Sequence, residues 1–264
     1  HKPFKSALSV LGIAFACAIL MTGRFQKDTI DYMMDVHYGI TDRNDIAVLF
    51  SEPTSYRALT ELVSLPGVEY GEAVRSVAAR LVFENRSYRT SINGYEPNAE
   101  IKRLVNRDLE PVSLPRTGIV LNEYLAREIL DVRTGDLLTV EVLEGSQPVQ
   151  QIPVVSLIHQ DLGIGSYMDI RALNSLMREG NAISGAYLYI DDAQKNEIFQ
   201  RLKDRPRIVG TAVREQAIRA YHRTMDETML FWTSVATLFA AIIAVGVVYN
   251  TARITLTERS HELA

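Results

Sequence analysis

Glu258, Arg259 and Glu262 stand in a charged stretch, "NTARITLTERSHELA", in which neither Gly nor Pro interrupts a helical pattern. A spacing of four puts Glu258 and Glu262 on one helix face with Arg259 beside them, and Asn250 lies about two turns upstream. Charges so placed can pair with a docking partner. A solvated helix face carries the same residue types, so charge alone does not separate the two readings.

Other chemistry finds no foothold. The chain lacks a Gly-x-x-x-x-Gly-Lys-Ser/Thr phosphate loop, and the glycines of "GIGS" at 163–166 read as a turn before a helix, "YMDIRALNSLMRE". The five histidines (His1, His37, His159, His222, His261) show no zinc-ligand spacing. Asp191 with Asp192, and Asp108 with Glu110, read as solvated caps rather than acid/base pairs. Cys17 is the only cysteine, which excludes an internal disulfide and a thiolate metal site. No cofactor is implied, and the chain reads as a non-enzyme. A net charge of −4 without a basic block argues against nucleic acid as a partner.

The tail is positioned by what precedes it. Residues 229–248 contain no charge, and the hydroxyls of Thr233, Ser234 and Thr237 can bond back to their own helix. At a rise of 1.5 Å per residue such a run spans roughly 30 Å, the hydrocarbon thickness of a bilayer. Trp232 and Tyr249 fall near its two ends, where an aromatic belt belongs. A second charge-free run occupies 6–23. It reads as an uncleaved span, because Ala14 and Phe15 before Cys17 fit a cleavage site poorly. Lys2, Lys5, Arg253 and Arg259 flank the spans on one side, so the positive-inside rule places both ends in the cytoplasm and the middle outside.

Both spans continue outward as amphipathic stalks, with Phe25, Ile30, Met33, Met34 and Val36 on one and Ala217, Ile218, Tyr221, Met225 and Met229 on the other. Between the stalks, strand, helix and strand recur twice, first as "DIAVLF", "SYRALTELVSL" with Thr54 or Ser55 as N-cap, and "VAARLVF". "AYLYI", "AQKNEIFQRLKD" and "RIVGTAV" repeat the order. Glu84-Asn85 predicts a hairpin turn before "RSYRTSINGY". Residues 111–161 read as a β-rich insertion, a subdomain of its own, with a short strand, a helix, a turn at Thr134-Gly135-Asp136 and two strands around a Gly-Ser loop. Tyr187 and Tyr189 share a strand face, where packing explains them.

The fold class is therefore α+β: two transmembrane helices flank an extracytoplasmic mixed α/β domain with a β-rich inserted subdomain. The expected order is a first span (1–23), an outward stalk (24–44), the domain (45–213), a returning stalk (214–228), a second span (229–249) and a cytoplasmic segment (250–264).

"YNTARITLTERSHELA" after a span closely resembles the cytoplasmic motif of FtsX-like permeases of the MacB type, membrane subunits of ABC transporters. In that family an Asn near the helix end is followed by Ser/Thr-rich residues and then Glu-Arg-x-x-Glu; here the matching positions are Asn250, Glu258, Arg259 and Glu262. "KPFKSALSVLGIAFACAIL" resembles the family's first span, with Leu11, Gly12 and Ile13. The layout between the spans is similar to the MacB-type periplasmic core. The resemblance implies that Asn250, Glu258, Arg259 and Glu262 open a coupling segment for a separate ABC ATPase subunit. It also implies a second permease half or subunit, an envelope substrate or protein partner, and residence in the bilayer of a bacterial inner membrane. Because the family has at least two further spans, it implies a longer permease of which this is a part. A two-span sensor with an extracytoplasmic ligand domain shares the topology, but its relay helix would carry a Pro soon after the span, and no Pro follows Pro206.

The orientation predicts that Ser146→Cys labels with a membrane-impermeant thiol reagent on intact spheroplasts of the Cys17→Ala protein, whereas Ser260→Cys does not. The reverse pattern would invert the topology.

Overall fold

The computed structural model describes residues 3–160 and 162–262, with side chains described at only part of the positions in the long first and last helices. Two compact units emerge, Met33–Ala217 and, separately, His1–Tyr32 with Ile218–Ala264. The second of these is carried by α1 (Pro3–Val36) and α5 (Arg214–Glu262). Among the described residues, one helix is long and apolar enough to cross a membrane: the Arg214–Gly246 part of α5, whose apolar window has mean hydropathy 2.0 and no buried residue. Thr237 and Ser234 return their hydroxyls to the carbonyls of Thr233 and Leu230 at 2.7 Å, as residues within an apolar run must. Residues 3–23 of the span expected at 1–23 lie in α1, where many side chains fall outside the described residues.

In the unit Met33–Ala217 the two strand-helix-strand repeats form one sheet. β1 (Ile46–Ser55), α2 (Arg57–Val63) and β2 (Val68–Phe83) come first; β8 (Ala182–Ile190), α4 (Lys195–Lys203) and β9 (Ile208–Val213) return. Their strands lie in the order β2-β8-β1-β9, all antiparallel, which is the split βαβ arrangement of a ferredoxin-like layer. α2 and α4 cover one face, burying Leu59, Leu62, Ile198 and Leu202 on Ile46, Val48, Ile183 and Leu188. Gly185 sits where a Cβ would lie 2.3 Å from the Val48 carbonyl oxygen, so no other residue fits there.

Between the halves of that layer the remaining strands close a barrel. The C-terminal half of β2 pairs with β3 (Arg86–Tyr95), which continues to β7 (Ser166–Asp169), β4 (Ile119–Asn122), β6 (Val149–Ile158) and β5 (Leu137–Val142), and β5 returns to β2. Closure removes the exposed edges these short strands would otherwise present. Val77, Ala79, Leu81, Ile92, Leu121, Leu138, Val140 and Val154 fill the interior. A π-helical turn (Leu125–Leu130) and α3 (Ile170–Met177) add Leu125, Leu130, Leu173 and Met177 to the same core. α3 approaches β3 closely because residue 94 is glycine: a Cβ there would stand 2.9 Å from Leu173 and 3.1 Å from the Ile170 Cα.

Several sequence expectations change. The strands of 111–161 pair with β2 and β7 as well as among themselves, so that stretch is part of a barrel built also from 75–95 and 166–169 within one compact unit, not a subdomain alone. "YMD" belongs to β7, and the helix starts only at Ile170, because the Asp169 carboxylate caps it by accepting from the Arg171 and Ala172 N–H groups at 2.7 and 3.3 Å. Neither Thr54 nor Ser55 is the N-cap residue of α2: both lie in β1, and Tyr56 takes the position without a side-chain cap. The helix expected between the short strand and the turn at 134–136 is present and is π-helical over Leu125–Leu130, ended by Asp131 at φ 59°. Tyr187 is half-buried as expected of a packed strand residue, whereas Tyr189 is exposed.

β2 serves both halves, and Arg75 stands where it changes partners. Up to Val74 it pairs with β8; from Arg75 it pairs with β3. The guanidinium is almost fully buried and all five of its donors are used. Nε and one NH2 hydrogen reach Glu179 (2.9 and 3.0 Å), the other NH2 hydrogen reaches Glu144 (2.8 Å), and NH1 reaches Ser184 Oγ (2.9 Å) and the Ser76 carbonyl (2.8 Å). Burial pushes its pKa down, but the hydrogen bonds and charges of Glu179 and Glu144 outweigh that and raise it. Arg75→Met, which keeps much of the volume but none of the donors, leaves two partly exposed carboxylates that can turn to water. The expected loss is about 2–3 kcal/mol, below the 3–5 of a fully buried pair, and Arg75→Lys should lose nearly as much, since an ammonium cannot reproduce the fork. Denaturant unfolding of the full chain in a non-ionic detergent measures it.

Candidate functional site

The coupling residues expected from the tail, Asn250, Glu258, Arg259 and Glu262, lie outside the described side chains. What the structure brings together is the place where both long helices root in the unit Met33–Ala217. α1 ends at Val36 and passes into a π-helical turn, His37–Thr41, in which the Thr41 hydroxyl and the Asp42 N–H both donate to the His37 carbonyl at 2.7 Å. β9 ends at Val213 and α5 begins at Arg214, so no linker separates sheet from helix.

Asp45, just before β1, anchors the α5 root to the sheet. Its backbone carbonyl accepts from the Arg214 N–H (3.0 Å), one carboxylate oxygen pairs with the Arg214 guanidinium (3.2 Å), and the other accepts from the Ile190 N–H (3.0 Å). Arg214 NH1 also reaches the Tyr38 carbonyl (3.4 Å) in the π-helical turn that follows α1. Lys195 from α4 pairs with Glu215, the next residue of α5, and these groups with Asp192 line a shallow, open cavity of about 400 Å³.

A second set of bonds anchors the α1 root to the sheet through the long β3–β4 connection. Glu72 of β2 is only 2% exposed, and its carboxylate accepts from the N–H groups of Glu100, Ile101 and Lys102 at 2.5, 3.0 and 3.2 Å. Three backbone donors meet the needs of that buried charge. The segment so held is stitched to 41–43 by Arg43 N–H to Ile101 O (2.9 Å) and Arg103 N–H to Thr41 O (2.8 Å). Lys102 pairs with Asp42 and lies 5.2 Å over the Tyr187 ring, while His37 Nε2 is 3.6 Å from Asp42. The chain β2–Glu72–Lys102–Asp42–His37 thus runs from sheet to helix end.

These groups hold the helix roots to the sheet. The carboxylates of Glu72 and Asp45 are already engaged by backbone N–H groups, and among the described residues no group of three His, Cys, Asp or Glu side chains is placed to hold a metal. Sequence reasoning missed Glu72, Asp45, Lys102 and Arg214. The one local signal was Glu72, the second of two glutamates in the strand "VEYGEAV", and a charge there says nothing of where its buried partners are.

Burial lowers the His37 pKa; nearby Asp42 opposes that shift and Lys102 adds to it. The folded protein therefore binds fewer protons than the unfolded chain between the lowered value and 6.5. Stability should fall as pH drops below about 6.5, and His37→Gln should flatten that part of the profile. Thermal unfolding of both proteins between pH 5 and 8 is the measurement; parallel profiles would remove His37 as the cause.

No family model and no curated protein matches the sequence. Among solved structures the chain is similar to the extracellular domain of the noncanonic ABC-type transporter YknZ from Gram-positive bacteria, at 12% identity over 59% of this chain and 87% of that one, with a TM-score of 0.43. It is also similar to the periplasmic region of MacB from Actinobacillus actinomycetemcomitans, at 12% identity over 70% of this chain and 95% of that one, with a TM-score of 0.46.

Proposed function

We propose that the chain is a permease segment of an ABC transporter of the FtsX/MacB type, set in a bacterial inner membrane with the unit Met33–Ala217 outside. ATP is hydrolysed on a separate ATPase subunit, and its cycle moves the long helices and through them the outer domain. That domain acts on an envelope substrate or protein partner, beside a second permease half or subunit.

The observation that carries the reading is the way the helices enter the domain. A displacement is transmitted only if nothing between helix and sheet absorbs it. α5 follows β9 without an intervening residue, and Arg214 is held to Asp45 and Tyr38 by both its backbone and its side chain. The tail motif supports the other end, where Asn250, Glu258, Arg259 and Glu262 stand as in FtsX-like permeases. Nucleotide can bias such a device only by binding its two states unequally, so the contact with the ATPase must differ between them. Rim ion pairs contribute about 1 kcal/mol, whereas truncating a desolvated pair costs several.

Reversing Arg259→Glu in the full-length permease should impair substrate-stimulated ATP hydrolysis in a reconstituted complex, with thermal unfolding of the outer domain unchanged. Normal stimulation in the variant would leave Glu258, Arg259 and Glu262 as a solvated helix face and remove their coupling role.

A further inference from the structure

β9 is the end strand of the open layer, and its outer edge pairs with nothing among the described residues. Strand edges are ordinarily guarded by a lysine, a proline, an inward charge or a covering loop. Here the interior of the strand, Val209-Gly210-Thr211-Ala212, carries neither charge nor proline, and Val209 is 62% exposed. The Arg214 N–H bond to the Asp45 carbonyl sets the antiparallel alternation, so Ala212 turns its N–H and C=O to β1 while Thr211 and Val213 turn theirs outward.

At the start of the same strand lies a cleft of about 520 Å³ between β1, α2 and the turn that leads into β9. Phe50, Ala58, Leu62 and Ile208 contribute apolar surface to it. Three arginines line it: Arg205 is 3.7 Å from Glu61, but Arg57 and Arg207 make no ion pair among the described residues. Unpaired surface arginines are usually just solvated. The two features gain meaning from being continuous, since Arg207 and Ile208 belong to both the cleft and the approach to the open edge.

We propose that β9 and this cleft bind an extended acidic peptide segment of another protein, which adds as a strand to the outer edge of β9 and lays carboxylates against Arg57 and Arg207. Backbone bonds to the outward N–H and C=O groups supply the pairing, and the guanidinium forks supply the preference for acid. A second copy of this chain is the poorer occupant. Its own edge strand, Ile208–Val213, carries no carboxylate that could lie against Arg57 or Arg207. The proposal stands independently of the transport reading.

The test uses the full chain in a non-ionic detergent and a fluorescein-labelled nine-residue peptide alternating Glu with Val, alongside its Lys-for-Glu counterpart. Fluorescence anisotropy should show saturable binding of the acidic peptide and at least tenfold weaker binding of the basic one. Arg57→Glu/Arg207→Glu should weaken the acidic peptide at least tenfold. Thr211→Pro, which removes an outward N–H while leaving the bonds to β1, should do the same with unchanged thermal unfolding. Amide exchange at 209–213 should slow in the complex. Should Thr211→Pro unfold the layer, the charge-reversed pair and the exchange pattern decide alone. Equal affinity for the two peptides, absence of binding, slowing confined to other strands, or a concentration-dependent dimer lost in Thr211→Pro would each overturn the proposal.

Discussion

The buried guanidinium of Arg75 is the constraint on which the domain's two halves depend. β2 is one strand shared by an open layer and a closed barrel, and at the point of exchange it must leave β8 and take up β3 without stranding its polar groups. Arg75 meets that need from the side chain. It binds the loop between β5 and β6 through Glu144, the loop before β8 through Glu179, and β8 itself through Ser184. Only arginine has five donors in a plane wide enough to reach all of these together, and no donor remains over. A buried ion pair is a poor source of net stability, because desolvation offsets most of the attraction. Its effect here is on geometry: the angle between barrel and layer is set by a rigid fork rather than by apolar contacts that could slide.

The same device recurs at the helix roots with backbone in place of side chains. Glu72 binds three successive N–H groups of the β3–β4 connection, and Asp45 binds the Ile190 N–H and Arg214. A segment as long as that connection would ordinarily run loose over the surface. Tied to Glu72 and bridged to Asp42 and Arg43, it becomes a strut between sheet and helix end. Held in this way, the connection loses the conformational freedom that a long loop would otherwise keep.

Much of the unit Met33–Ala217 was legible in short-range pattern. The hairpin turn at Glu84-Asn85, the alternation along β2 and β3, and the two strand-helix-strand repeats all stand as their local sequence predicts. The failures share one cause. β7 is four residues long and entirely buried, so it shows no alternation, and its place between β3 and β4 comes from strands distant in sequence. Leu125, Ala126 and Leu130 have helical spacing, but the π-turn they form is set by the barrel core they close. The site was less legible than the fold. Glu72 and Arg75 are conspicuous as charges in a strand, yet their partners lie 28 and 104 positions away.

By itself the sequence determined what depends on neighbours along the chain. An uncharged run of bilayer length, a tail with Glu258, Arg259 and Glu262 at helical spacing, and the order of strands and helices all follow from the intrinsic periods of 3.6 and 2. The tertiary structure alone decided that β2 belongs to two sheets, that the stretch 111–161 closes a barrel instead of standing apart, and that Asp45, Arg214 and Tyr38 meet at one root. Those outcomes depend on which buried donors and acceptors find each other across long separations. Desolvation makes every unpaired choice costly, and no local pattern records the partner that satisfies it.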